Sequence, residues 1–321
     1  MANLAKEYAP KAGALSIGQY CPPLCFELAG KRFELKMDYG EDTGDASLHF
    51  LDEKRVEWSI KSSGVSKVDE YKCLKGDDYT YLVSWCIKDP ENPDEVSSEN
   101  HTWVIDKEQG LVTFLRCVKG ENPYWPYLIE SHFTFGAIKE AGKTIGPKRH
   151  GFTDECIGSC VQWTYGHELS TVHVYYSSNW YRITYPKDAV VSEQGAAQNE
   201  QLNSLLKDLP GSDEPAYYIK IKEGMYLVSL TEQNMERYVG DKVGFRSDTL
   251  CFLDNYNRMY DVGRGYGTST FTAGAPGADG KVPDADAPLP KDGEIFIMIG
   301  AYGKPGDADD HFFTDPNPYT V

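Results

Sequence analysis

Glu232 is a carboxylate in an unusual setting. It ends the run Gly224-Met-Tyr-Leu-Val-Ser-Leu-Thr-Glu232, an apolar and β-branched stretch that reads as a buried strand. Far upstream, Tyr81-Leu-Val-Ser-Trp85 repeats the Tyr-Leu-Val-Ser core but leaves its strand through Cys86-Ile87. An acid ending one copy and an aliphatic residue ending the other mark a place where chemistry could sit. A carboxyl group inside a barrel wall is desolvated, so its pKa rises and it can act as general acid or base near neutral pH. Trp163, Tyr165, His173 and Tyr175 alternate along two further strands and would line such a wall with flat, amphipathic rings. Tyrosine hydroxyls there could hold a phenolate or carboxylate oxygen. The plainer alternative for Glu232 is a solvated strand end leading into Gln233-Asn-Met-Glu236.

The elements that must position these groups are short strands. Aromatic residues make up 13% of the 321, and Gly, Pro, Asn and Asp punctuate the apolar runs, which is all-β composition. After Gly30, Lys31-Arg-Phe-Glu-Leu-Lys-Met-Asp38 alternates as a half-solvated strand. Ser47–Leu51, Val56–Ile60, Tyr79–Cys86, His101–Asp106, Leu111–Arg116 and His132–Phe135 follow with tight turns between them. That spacing predicts a sandwich or an up-and-down barrel. The series then restarts at Cys156-Ile-Gly158, offset by about 125 to 150 residues, as a duplicated domain does. In this alignment His49 answers His173, Arg116 answers Arg264, and Asp106 answers Asp254. The shared histidine reads more simply as structural than catalytic. Gly263-Arg-Gly265-Tyr-Gly267 reads as a loop, without the strand–turn–helix context of a phosphate cradle.

The expected domains are an N-terminal arm over 1–25, a first barrel over 26–136, a linker over 137–150, a second barrel over 151–268 and an acidic Pro/Gly-rich extension over 269–321. Ala, Gln, Leu and Glu between 190 and 210 predict an inserted helix, stopped by Pro210-Gly211. Within the extension, Glu294–Gly300 reads as one further strand. It can complete the second sheet, cross to the other domain, or pair with a second copy of the chain in a homodimer.

Composition narrows the partners. A formal net charge of −17 opposes binding to a nucleic-acid backbone. No run approaches the ~20 apolar residues of a membrane helix, and the N-terminus lacks a signal-like apolar stretch. The expectation is a soluble, cytoplasmic protein that works without nucleic acid or membrane. Eight cysteines without a secretion signal read as free thiols. The spacings Cys21/Cys25 and Cys156/Cys160 fit small core residues better than a thiolate zinc site, so no metal and no cofactor are expected.

The order of strands, with Leu48-His-Phe-Leu-Asp52, Val56-Glu-Trp58, Tyr81-Leu-Val-Ser-Trp85, Trp103-Val-Ile-Asp106 and Gly110-Leu-Val-Thr113, resembles the MoaF-like family, named for molybdenum cofactor biosynthesis. The resemblance covers about residues 26 to 267. It implies two tandem calycin/lipocalin-like antiparallel β-barrels, here with a short inserted helix, and an accessory role in that biosynthesis. The second copy also resembles the phenolic acid decarboxylases, single lipocalin-like barrels with a Tyr-Thr-Tyr strand and an acid at the end of Tyr-x-Val-Ser-Trp-Thr-Glu. Trp163-Thr164-Tyr165 falls on the first motif and Glu232 on the catalytic glutamate. The substrate-binding arginine of that family falls in the insertion, leaving Arg182 on a neighbouring strand as the stand-in. This resemblance implies a cofactor-independent lyase or isomerase for a small aromatic molecule, with Glu232 and Tyr165 catalytic and Trp163, His173, Tyr175 and Arg182 binding. The alternative is a non-catalytic small-molecule binding protein. Leu35, Met37 and Ile87 occupy the corresponding positions of the first copy, which reads as chemically blank.

Overall fold

A computed structural model of the chain describes residues 20–39, 42–61, 63–88, 91, 97–119, 129–166, 170–184, 211–232, 245–269 and 293–306. The helix expected near 190–210 lies outside these residues. The described secondary structure is strand throughout, and no described helix is long and apolar enough to cross a membrane. Two compact units emerge, one of residues 23–152 with 219–226 and the other, among the described residues, of 20–22, 153–218 and 227–306.

The first unit is a nine-stranded antiparallel sheet. Its strands are β1 (Arg32–Tyr39), β2 (Asp42–Phe50), β3 (Arg55–Ile60), β4 (Val65–Glu70), β5 (Lys72–Lys75), β6 (Thr80–Ile87), β7 (Glu99–Asp106), β8 (Leu111–Lys119) and β9 (Ile129–Ile138). They pair in the order β4-β3-β2-β1-β9-β8-β7-β6-β5. β4 and β5 are two halves of one run broken at Tyr71, the first half pairing with β3 and the second with β6. The sheet thus curls back on itself as an up-and-down barrel. β4 escapes a reading of periodicity because Val65-Ser-Lys-Val-Asp-Glu70 is largely exposed and half charged. Alternation on the other strands sends Phe33, Leu35, Met37, Phe50, Trp58, Trp85, Trp103 and Phe114 into one buried cluster. The segment after β9 returns to this unit: Arg149 pairs with Asp38 at 2.7 Å, and buried His150 bonds Thr113 Oγ1 at 2.8 Å.

The second nine-stranded sheet repeats the plan. Its strands are β10 (Gly151–Phe152), β11 (Ser159–Thr164), β12 (Ser170–Ser177), β13 (Trp180–Thr184), β14 (Ser212–Lys222), β15 (Met225–Thr231), β16 (Phe245–Asn255), β17 (Tyr260–Ser269) and β18 (Gly293–Pro305). The order is β10-β14-β13-β12-β11-β18-β17-β16-β15, and an additional β14–β15 pairing closes the ring. Both sheets are all-β and barrel-like, as two tandem calycin-like barrels require. β18 lies between β17 and β11, so the apolar run at 294–300 completes the second sheet. Gly263–Gly267, expected as a loop, lies within β17. Its glycines leave room inside the barrel: a Cβ at Gly265 would come within 3.1 Å of Ile297 and 3.3 Å of Leu250.

Two turns fix how the copies superpose. Gly30 and Gly158 both adopt positive φ (74° and 90°) and donate to Phe50 and Tyr175 carbonyls, at 2.7 and 2.8 Å. At the next hairpin, the Asp106 side chain accepts from the N–H groups of Glu108 and Gln109, as Asn255 Oδ1 does from Arg258. In this frame Phe50 matches Tyr175 and Leu48 matches His173; Asp106 matches Asn255, and Ile105 matches Asp254. The expected pairs His49/His173, Arg116/Arg264 and Asp106/Asp254 are each one residue out of register. A one-residue slip turns a side chain to the opposite face of the sheet. His49 is accordingly half-exposed beside Glu57, whereas His173 is buried inside the second barrel. Arg116 is partly exposed and pairs with Glu99, whereas Arg264 is fully buried and donates to the Thr249 carbonyl.

Candidate functional site

The interior of the second barrel is lined by rings and acids. Trp163, Tyr165, His173, Tyr175 and Tyr181 are all buried, on β11, β12 and β13 or, for Tyr165, just past β11. Trp163 can lie flat against β18 because its partner there is Gly303; a Cβ at that position would fall 2.5 Å from the indole ring. His173 packs edge-on against Tyr175, Tyr181 and Phe252, and Tyr165 meets Phe252 at 5.9 Å. Four of the sequence-derived candidates therefore share this interior.

A hydrogen-bonded chain runs through it. Thr171 Oγ1 lies 3.0 Å from His173 Nε2, and His173 Nδ1 lies 3.2 Å from the Tyr175 hydroxyl. That hydroxyl donates to Asp254 Oδ2 at 3.3 Å. Because Tyr175 gives its proton to the carboxylate, its oxygen accepts from Nδ1–H, and Nε2 accepts from Thr171. Burial pushes the His173 pKa down to about 3, so the ring is a neutral relay.

The chain ends on a carboxyl pair. Asp254 on β16 stands directly opposite Asp261 on β17, and both are buried to about 1% exposure. Directly opposed residues have Cβ atoms about 4.5–5.5 Å apart. Burial raises the Asp254 pKa to about 8, opposed by the Tyr175 hydrogen bond. Burial, and then the neighbouring Asp254 charge, drive Asp261 well above the carboxylate range, although the Ala301 amide donates to its Oδ1 at 2.6 Å. Asp254 Oδ1 and Asp261 Oδ2 are buried without a hydrogen-bond partner. With both raised, the two carboxyls are largely protonated at neutral pH and are poised to give a proton rather than to take one. The Tyr165 phenol, raised by burial and then by Asp261 and Asp254, stays protonated beside them as a donor.

Glu232 is buried, which removes the solvated-end alternative, and it lies near enough to Tyr165 to oppose ionisation of the phenol. Arg182 is not brought to this group. It alternates with inward Tyr181 and Ile183 on β13 and pairs on the other face with Asp213 at 2.7 Å.

Sequence reasoning missed the carboxyl pair. Aligning Asp254 with the turn residue Asp106 is one position out, and Asp261 reads as part of an ordinary hairpin strand. The usable signal was parity: Phe252 and Asp254 share a face, and acids flanking a short turn at matching positions face the same side of the sheet.

The first barrel differs at every equivalent point. Leu35 and Met37 are fully buried, and Ile105 faces Val112 where the second barrel sets its two aspartates. It is not wholly apolar, however. His101 Nε2 lies 2.5 Å from Glu99, which also binds Arg116 at 2.9 Å. Trp58, Trp85 and Phe114 surround that imidazole.

Residues 10–115 match the family model described as the MoaF N-terminal domain. The first barrel is similar to the MoaF N-terminal domain over β1 to β7 and the start of β8. The match covers about a third of the 321 residues and lies on the barrel without the aspartate pair. No curated protein matches the chain. The MoaF-like region and the acid-lined second barrel are thus separate parts of the sequence. Among the described residues, no cluster of three or more His, Cys, Asp or Glu side chains could hold a metal ion.

Proposed function

We propose that the second barrel binds a small aromatic compound and moves a proton on it, as a cofactor-independent lyase or isomerase. The observation that carries this reading is the opposed pair Asp254–Asp261, buried in a ring of aromatic residues and tied to the Thr171–His173–Tyr175 chain. Burying two carboxyls with unpartnered oxygens costs stability, and acids perturbed in this way cluster at functional sites. In this scheme one carboxyl gives a proton to the substrate, and the carboxylate this leaves takes a proton back from another atom. Tyr165 and Tyr175 hold the developing oxyanion, and Trp163 supplies a stacking face. Glu232, matching the decarboxylase glutamate, is the second candidate acid at the strand end. Arg182 has no part in this scheme.

The test is turnover and binding of a panel of phenolic acids and aldehydes by wild type, Asp254→Asn, Asp261→Asn and Glu232→Gln. Loss of turnover by at least ~100-fold in the aspartate variants, with binding retained, is the expected result. Unchanged turnover in both would remove the pair from the chemistry. The match to the MoaF N-terminal domain favours a second reading, an accessory protein that binds a small molecule without converting it. Binding with no turnover by wild type would select that reading.

A further inference from the structure

The segment entering β1 carries a feature unrelated to the second barrel. Cys25 N–H donates to the Cys73 carbonyl at 2.8 Å, which sets the loop before β1 directly beside β5. A backbone N–H···O=C bond of this kind brings two residues to roughly the 4.4–6.8 Å Cα spacing that a disulfide spans. The Cys25 and Cys73 side chains are close enough to interact, and the Cys73 thiol donates to the Leu74 carbonyl at 3.7 Å. Glu27 holds the same loop in place, accepting from Lys75 at 2.7 Å and from the Tyr81 hydroxyl at 2.8 Å. Cys25 is half-buried and Cys73 fully buried, and both are reduced.

We propose that Cys25 and Cys73 are a peroxide-sensitive dithiol whose oxidation fastens the loop before β1 to β5. The Cys73 side chain beside it holds the Cys25 thiol down at about 7, while the same contact, with burial, raises Cys73. Cys25 is therefore the attacking sulfur, being both more acidic and more accessible. Its thiolate attacks one oxygen of hydrogen peroxide, the O–O bond breaks, and hydroxide leaves to be protonated to water. Cys25 is now a sulfenic acid. The Cys73 thiol loses its proton and attacks Cys25 Sγ, the S–O bond breaks, and a second water leaves. In balance, two thiols and one peroxide give one disulfide and two waters. Because the residues lie far apart in sequence, the new bond closes a long loop and restrains the unfolded chain.

The experiment treats the full chain with a small excess of hydrogen peroxide, then quenches, digests without reductant and maps the peptides. The expected result is a peptide linking residues 25 and 73, lighter by two hydrogens, with two of the eight thiols lost and a higher Tm than the reduced protein. Cys25→Ser, at the half-buried position, should keep Cys73 reduced and abolish the Tm difference. Cys73→Ser should leave a Cys25 sulfenic acid that dimedone captures; if that variant does not fold, Cys25→Ser alone carries the test. A different linked pair, or two thiols still lost in Cys25→Ser, would overturn the proposal.

Discussion

At one place in the two barrels, β7 sets Ile105 against Val112 on β8, and β16 sets Asp254 against Asp261 on β17. The backbone geometry is shared down to the turn that follows, where Asp106 and Asn255 accept the same class of hydrogen bond. One interior is therefore closed by aliphatic contact, and the other by two carboxyls whose partners satisfy only some of their oxygens. The fold does not need the acids, since its sister copy stands without them. A local rule broken in one copy and kept in the other locates function better than either barrel could alone.

The comparison breaks most visibly by exchanging the pairs. Ile105→Asp puts a carboxyl into an interior with no Tyr–His chain to receive it, and should cost the first barrel about 3–5 kcal/mol. Urea unfolding followed by fluorescence of Trp58, Trp85 and Trp103 measures it. The reverse exchange, Asp254→Ile with Asp261→Val, should stabilise the second barrel by about 1–4 kcal/mol and abolish ligand binding. A loss under 1 kcal/mol for Ile105→Asp would mean that the two interiors tolerate acids alike.

The barrels should also answer pH with opposite signs. In the first, burial opposes ionisation of Glu99, but hydrogen bonds from His101 and Arg116 hold it at about 2, below its ordinary 4.5. The unfolded chain then binds the proton more tightly, so this stability is present above 4.5 and is lost as pH falls towards 2. In the second, burial holds Asp254 at about 8, above 3.8, so the folded state binds the proton more tightly. That stability is present below 3.8 and is lost as pH rises towards 8. The slope is about 1.4 kcal/mol per pH unit for each group in its window. Hydrogen exchange followed separately in β7–β8 and β16–β17 across pH 3 to 8.5 reads both. Protection moving in the same direction in both hairpins would end the comparison.

A smaller effect isolates the relay. Tyr175→Phe removes the hydroxyl that donates to Asp254 Oδ2 and should cost about 1–2 kcal/mol. Since that bond favours the ionised acid, its loss should move the upper pH midpoint of the second barrel higher. A midpoint that falls would show that the hydroxyl does not donate to the carboxylate.

Much of this architecture is legible in the sequence because strands advertise themselves by period and turns by glycine. The duplication follows from Tyr81-Leu-Val-Ser84 and Tyr226-Leu-Val-Ser229, and the aromatic lining from the alternation of Trp163 with Tyr165 and of His173 with Tyr175. Register is harder to read. Matching identical letters, His49 to His173 and Asp106 to Asp254, shifts each pair by one, and in a sheet one residue separates inside from outside. That single step hid Asp254 and, across the hairpin, Asp261. β4 stayed hidden for another reason: its Val65–Glu70 side chains face water, so burial leaves little periodic trace in their composition.

Arg182 supplies the smallest prediction and a boundary for the site. Resemblance to the decarboxylases places it as a stand-in for a substrate-binding arginine, but its alternation with Tyr181 and Ile183 turns it away from the acids. It pairs with Asp213, which also accepts from the Tyr176 hydroxyl at 3.0 Å. Both charged groups are partly exposed, so water screens the pair and Arg182→Ala should cost at most about 0.5 kcal/mol. Affinity and turnover for any phenolic acid should stay within twofold of wild type, measured beside Asp254→Asn under the same conditions. If Arg182→Ala instead weakened phenolic acids selectively over the matching aldehydes, a substrate carboxylate would have to reach the outer face of β13. The ligand would then sit across the barrel wall rather than against the Asp254–Asp261 pair, and the contrast between the two interiors would no longer be what selects it.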